Sequence, residues 1–263
     1  MIIHRKANTR GNPKSYWINS YRTFSFPGYY DENYTNFSDL QTINDDRVEP
    51  GGHVPIHEHK DMEIFGYVVE GVCRHTDNQG NILDIPAGAV QRMSAGSGIF
   101  HTEGNSTDTP NRYLQLWIRP NVFDTEPRHD WYQFTKEDKL NKFCDITEKL
   151  PIKQDAKFLS GIFTEDFNYE INPERKYYLY VISGKLTDPF DNYDYIKDIA
   201  SAYKINTIFF HLSGELNKHD RNLNIKTEAY RKYCLAFSDR LQPQAIRATL
   251  EPVQRLLADQ QAH

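Results

Sequence analysis

Cysteine is scarce: Cys73, Cys144 and Cys234 are an odd number, widely spaced, with no C-x-x-C pair. A disulfide framework needs an even, closely spaced set, so these three read as buried thiols of a reducing compartment. Long apolar runs are missing as well. No stretch approaches the ~20 apolar residues of a membrane-spanning helix, and Met1-Ile2-Ile3-His4-Arg5-Lys6 turns polar too soon for a signal peptide. A cytoplasmic protein with no membrane partner is expected. Nor is there a basic surplus: 31 Lys and Arg stand against 36 Asp and Glu, a net charge of −5. Without clustered positive charge there is no footprint for a phosphate backbone, and direct nucleic-acid binding is not expected.

What the chain does have is length and rings. Its 263 residues suffice for two ordinary domains or one large one. Apolar residues reach only 38%, but aromatics make up 13%, with 17 Tyr and 15 Phe. Such a composition fills β-barrels with rings and keeps the outside polar.

Residues 40–122 consist of short apolar runs broken by Gly, Pro, Asn and Asp about every ten residues, the pattern of an all-β sandwich or barrel. Ile64-Phe65-Gly66-Tyr67-Val68-Val69 is apolar on both alternations and ends at Glu70-Gly71, a buried strand and a turn. Asn78-Gln79-Gly80-Asn81 is a hairpin loop, and Tyr113-Leu114-Gln115-Leu116-Trp117-Ile118 closes this half as a strand. Pro120 and the polar run 124–130 mark a linker, while residues 1–36 read as short strands and an aromatic-rich loop. In the second half, Tyr180-Val181-Ile182-Ser183-Gly184 echoes Tyr67-Val68-Val69-Glu70-Gly71, as in a duplicated barrel. Residues 188–203 and 217–228 read as long polar loops. Ile246, Leu250, Val253 and Leu257 form a helical apolar stripe interrupted at Pro252.

Two short stretches carry the chemistry. His57-Glu58-His59 and His101-Thr102-Glu103 each place two ligand-type side chains at i and i+2, and on a strand these point the same way. Together they offer three imidazoles and one carboxylate. That set suits a first-row divalent metal, Fe(II), Mn(II), Co(II), Ni(II), Cu(II) or Zn(II), and leaves coordination positions free. His53 and His75 read as ordinary surface or core histidines. His211, His219 and His263 are isolated, so no metal is expected in the second half.

Gly51-Gly52 precedes the first pair, and Gly80-x5-Pro86-x-Gly88-x2-Gln91 leads toward the second. The arrangement resembles the two cupin motifs, with two departures. The gap from Glu63 to Gly71 is one residue longer than usual, and Gln91 stands where cupins generally carry a ligand histidine. Both departures, with Arg22-Thr23-Phe24-Ser25-Phe26, Tyr29-Tyr30-Asp31, Ile43-Asn44-Asp45-Asp46, His59-Lys60-Asp61-Met62-Glu63 and Gly96-x-Gly98-Ile99-x-His101-x-Glu103, resemble the pirins, specifically the bacterial pirin-like proteins. The resemblance spans about residues 17–120.

It implies an all-β bicupin of two jelly-roll-like barrels, the second divergent, with a C-terminal helical tail. The expected division is 1–130 for the metal-bearing N-terminal barrel, 131–240 for a degenerate cupin-like barrel and 241–263 for the tail. It further implies His57, His59, His101 and Glu103 as ligands of one divalent transition metal, Fe(II) first, with Zn, Mn, Ni, Co or Cu as alternatives. The implied activity is that of a quercetin 2,3-dioxygenase, with a flavonol and dioxygen as partners and Glu103 or Glu63 as general base. Glu63 is equally well read as a hydrogen-bond partner that orients a ligand imidazole or as a barrel-rim residue. The same family includes an iron-bearing transcriptional co-regulator, so the alternative is a non-catalytic, redox-responsive interaction protein. A protein partner or a homo-oligomer stays open.

Overall fold

The structure, a computed structural model, describes residues 5–184 apart from 166, 168, 171 and 173, together with residues 205–212. Cys234, the expected polar loops and the helical tail lie outside the described residues. The elements follow in the order β1 (Ile18–Arg22), β2 (Leu40–Val48), β3 (His53–His59), β4 (Glu63–Glu70), β5 (Val72–Asp77), β6 (Ile82–Pro86), β7 (Ala89–Ser94), β8 (Ile99–Gly104), β9 (Asn111–Ile118), β10 (Arg128–Gln133), α1 (Lys136–Lys139), β11 (Phe143–Asp145), β12 (Ala156–Phe163), β13 (Lys176–Ser183) and β14 (Ile205–Leu212). No helix among the described residues is long and apolar enough to cross a membrane.

The first half builds a six-stranded sheet, β1-β2-β9-β4-β7-β10, and a four-stranded sheet, β3-β8-β5-β6; the second half contributes β11-β12-β14-β13. All strand pairings within these sheets are antiparallel.

β4 explains why its sequence is apolar on both alternations. Phe65 and Tyr67 pack into a core shared with Phe158, Tyr180 and Ile182 of the second half. Val68 joins Cys73, Ile85 and Tyr113, and Ile64 joins Met93 and Ile99, in cores that face the smaller sheet. A strand covered on both faces has no solvent side to keep polar. The ring of Phe65 meets that of Phe158 edge-on at 5.0 Å. Fully burying each such ring contributes roughly 1.5–3 kcal/mol.

The echo between the halves is structural as well. β4 and β13 both run from a tyrosine into a glycine with positive φ, Gly71 at +71° and Gly184 at +85°. The left-handed conformation that reverses the chain there is open to glycine without Cβ strain. The expected hairpin of residues 78–81 joins β5 to β6. The linker expectation for 124–130 is corrected: the chain enters β10 at Arg128 and pairs with β7, Trp131 opposite Gln91. Alternating His129, Trp131 and Gln133 with polar neighbours disguises this edge strand as a loop, because an edge strand needs little apolar burial. Of the cysteines, Cys73 is buried and Cys144 half-buried, and both are free thiols.

Candidate metal centre

β3 and β8 are neighbours in the smaller sheet, with His57 opposite His101 and His59 opposite Ile99. An irregularity between Val54 and His57 shifts the register, so Glu103 pairs with Val54. Such a bulge re-aims the side chains that follow it. Here it gathers the three rings: His57 and His101 have centroids 4.4 Å apart, His57 and His59 4.8 Å, His59 and His101 5.0 Å. One ligand nitrogen from each lies within 4.8 Å of the others. Trp117 of β9 packs edge-on against His59 at 4.7 Å and closes one side.

The protonation of this group is constrained by its hydrogen bonds. His57 Nδ1 lies 2.8 Å from the Pro55 carbonyl, which can only accept, so Nδ1 carries the hydrogen and Nε2 is bare in the neutral ring. That Nε2 faces His101 Nε2 at 3.0 Å. His59 Nε2 is buried with no hydrogen-bond partner. Burial pushes all three rings toward the neutral form, His59 down to about 3 and His57 and His101 also below the ordinary histidine value. His57 Nε2 and His101 Nε2 share at most one hydrogen, and His59 Nε2 has no partner at all, so three neutral imidazoles converge with a buried nitrogen left unsatisfied unless a cation takes it. The donor set therefore fits a divalent transition metal.

Glu103 lies on the same face of β8 as His101. It is fully buried, and its two oxygens are taken by amides: Gln91 Nε2 donates to Oε1 at 3.1 Å and Gln115 Nε2 to Oε2 at 2.6 Å. Its nearest ligand-type grouping is with His101 and His75, whose ligand atoms lie within 4.8 Å of its own. Burial pushes its carboxyl up to about 7, with the Gln115 bond pulling down, the charge of Asp46 pushing further up and the Gln91 bond again pulling down. Glu63 is buried on β4 and accepts from Ser94 Oγ at 2.6 Å and from the Lys153 backbone, not from an imidazole. Burial raises its carboxyl too. His53 is exposed, with its ring at the Gly51 carbonyl.

His75 is a core histidine, as expected, but not an inert one. Its Nε2 meets Asp77 Oδ2 at 2.9 Å, its Nδ1 lies 3.4 Å from His101 Nδ1, and its ring stacks on His129 at 3.9 Å. His129 Nε2 in turn bonds Gln91 Oε1 at 2.9 Å. Gln115, Asp77 and His129 are the residues that sequence reasoning passed over. For Gln115 a signal existed: it alternates with Tyr113 and Trp117 on the inward face of the otherwise apolar run 113–118, where an amide needs a buried partner.

Comparison with known proteins agrees with this geometry. Residues 4–118 match the family model described as Pirin. A protein named quercetin 2,3-dioxygenase from Escherichia coli (strain K12) is 39% identical over 193 residues, covering 71% of this chain and 84% of the relative. A pirin-like protein of Caulobacter vibrioides is 37% identical over 193 residues, covering 70% and 83%. The crystal structure of the bacterial pirin YhhW from Escherichia coli, a complex with nickel(II), superimposes with a TM-score of 0.68 at 30% identity, covering 80% of this chain and 97% of that one. With its facing antiparallel sheets and the matching strand ends of its two halves, the chain has the bicupin fold and belongs to the pirin family.

Proposed function

We propose that the chain is a metal-dependent dioxygenase that opens flavonols such as quercetin, with one divalent transition metal held by His57, His59, His101 and Glu103 and with Glu103 as general base. The observation that carries the reading is the convergence of three neutral imidazoles, two of them face to face at 3.0 Å, beside a buried carboxylate on the same strand face. The names of the bacterial relatives point to the same substrate class. Iron(II) is the metal proposed for the cell, and the nickel(II) in the related bacterial pirin marks a close substitute in size and ligand preference.

When bound, the metal would supply Lewis acidity toward an ortho-oxygenated substrate and a route for dioxygen to react with it. The protein's own groups supply the rest. His57 is held by Pro55 and is the half-exposed member of the trio, so the substrate's oxygens approach past it while His59 and His101 stay buried. Glu103, whose carboxyl burial raises to about 7 in the absence of a cation, is the group to accept the flavonol 3-hydroxyl proton. Gln91 and Gln115 steady that carboxylate from behind. Trp117 covers one side of His59 with its ring edge-on.

The test is oxygen uptake and carbon monoxide release with quercetin, using full-length protein loaded with Fe(II) and, separately, with Ni(II). One dioxygen consumed and one carbon monoxide released per flavonol lost is expected. Metal-loaded protein that consumes no oxygen with any flavonol overturns the enzymatic reading.

A further inference from the structure

We infer that Asp77 and His75 form a hydrogen-bonded chain that fixes the tautomer of His101 and thereby the nitrogen that His101 presents to the cation. The inference rests on the metal-site reading above, and it assigns Asp77 and His75 as positioning residues.

The argument starts at the hairpin between β5 and β6. Asp77 accepts the backbone N–H of Gln79 at 2.9 Å and of Asn81 at 3.1 Å on Oδ1, and the Asn81 side-chain amide at 2.8 Å on Oδ2. Burial works against ionisation, yet these bonds and that from His75 outweigh it and hold the carboxyl below its ordinary value. A carboxylate accepts and does not donate, so the His75 nitrogen 2.9 Å from Oδ2, its Nε2, carries the hydrogen. His75 is wholly buried, and a neutral imidazole carries one hydrogen only. Its other nitrogen, Nδ1, is then bare. It lies 3.4 Å from His101 Nδ1, and the hydrogen between them comes from His101.

With Nδ1 protonated, the neutral His101 ring is bare at Nε2. That is the atom 3.0 Å from His57 Nε2, within the group of three ligands. A histidine that ligates a metal through one nitrogen generally donates the other N–H to a neighbouring acceptor, which sets ring orientation and basicity. Here the acceptor is a second histidine, itself set by a carboxylate. The register places the pieces: His75 lies opposite Glu103 and Asp77 opposite His101 on the adjacent strand. His129, stacked on His75 at 3.9 Å, limits rotation of the middle ring.

The grouping of His75 with His101 and Glu103 admits a competing arrangement in which His75 is itself a ligand and His101 bridges two ions. Stoichiometry separates the two. In the chain proposed here there is one ion per protein and His75 touches none.

The tautomers are read in the metal-free, full-length protein from long-range ¹H–¹⁵N correlations of ¹⁵N-histidine. His75 protonated at Nε2 and His101 protonated at Nδ1 are expected. In Asp77→Asn, the side-chain oxygen is still demanded by the two backbone N–H groups, so the amide turns its NH₂ toward His75 Nε2, and the Asn81 amide turns over to accept from it. His75 then becomes the Nδ1–H form, His101 the Nε2–H form, and Ni(II) affinity falls by about 10- to 100-fold. His75→Phe, checked for native folding by thermal melting, lowers Ni(II) affinity in the same range by removing the acceptor. Wild-type His101 found as the Nε2–H tautomer overturns the inference. So do wild-type Ni(II) affinity in both variants or two Ni(II) per chain. Failure of the wild-type protein to bind Ni(II) overturns the metal-site reading instead, while the tautomers of the metal-free protein still decide for or against the chain.

Discussion

Gly66 stands directly opposite Gln91 on the adjacent strand, and a Cβ added to Gly66 would lie 2.6 Å from Gln91 Nε2. On its other side Gly66 pairs with Gln115 of β9. The missing side chain is therefore the space through which the Gln91 amide reaches Glu103, and Gln115 arrives at the same carboxylate from the strand beyond. Gly66→Ala should displace the Gln91 amide and cost about 1–3 kcal/mol, as overpacking does in a filled core. Chemical denaturation should report that loss. Ni(II) titration should show weaker binding than in wild type, and an unaltered affinity would mean that the Gln91 bond does nothing for the site.

Asp46 provides a pH signature of its own, and its charge also acts on Glu103. It is buried beside Ser20, Arg22 and Asp45, and burial raises its carboxyl to about 6 from an ordinary value of 3.8. Because the folded-state value is raised, the folded protein holds a proton that the unfolded chain has released between these two pH values. Stability from this group is therefore full below about pH 4 and lost as pH rises through 6. Asp46→Asn should remove this loss. Relative to wild type it should gain up to about 3 kcal/mol between pH 4 and pH 8, a ceiling set by ~1.4 kcal/mol per pKa unit. Equal urea-denaturation differences at the two pH values would show that Asp46 ionises normally.

Much of this was legible in the residues. The i, i+2 spacing of His57 with His59 and of His101 with Glu103 follows from strand alternation, and β3 and β8 place both pairs on adjacent strands. The doubly apolar run of β4 foretold a buried strand, and the echo at Tyr180 foretold a repeat of that strand in the second half, where β13 lies. What stayed hidden depends on register between distant strands. Nothing near Glu103 in sequence says that residues 91 and 115 will meet it, nothing near Gln91 announces residue 129, and nothing near His75 says that residue 101 will lie beside it. Such contacts arise only once β5, β8, β7 and β10 have found their partners. β10 itself was missed because an edge strand with polar alternation looks like a loop to any pattern based on burial.

The contact between the halves is testable at Phe158. This ring is fully buried on β12 and meets Phe65 of the central strand β4 at 5.0 Å. Phe158→Ala should destabilise by about 3–5 kcal/mol, the cost of a lost ring and the cavity it leaves. Phe65 lies on the face of β4 opposite the inward Gly66, so the histidine cluster should feel the change only through global stability. Thermal melting should drop while Ni(II) affinity at a temperature well below the transition stays within a few-fold of wild type. A large fall in affinity at that temperature would show that the second half shapes the metal site.

The decisive residue for the chemistry is Glu103, proposed as both ligand and base, and the two roles pull against each other. A carboxylate bound to a divalent cation has its acidity increased, so it accepts a proton poorly unless burial offsets the cation. Burial here is complete and lifts the carboxyl to about 7 in the absence of a cation, which supplies that offset. Glu103→Gln keeps shape and much of the hydrogen bonding but removes the charge and the proton acceptor. It should weaken metal binding, and with saturating metal it should still cleave quercetin about 10²- to 10⁴-fold more slowly, the range typical for loss of a general base. Glu103→His should retain metal through a fourth imidazole and recover part of the turnover. The assay is metal stoichiometry beside flavonol cleavage at saturating metal for both variants. Full turnover in Glu103→Gln would remove Glu103 from the proton transfer and direct attention to Glu63, a buried glutamate of β4 whose carboxyl burial also raises and whose Oε2 is held by Ser94 at 2.6 Å.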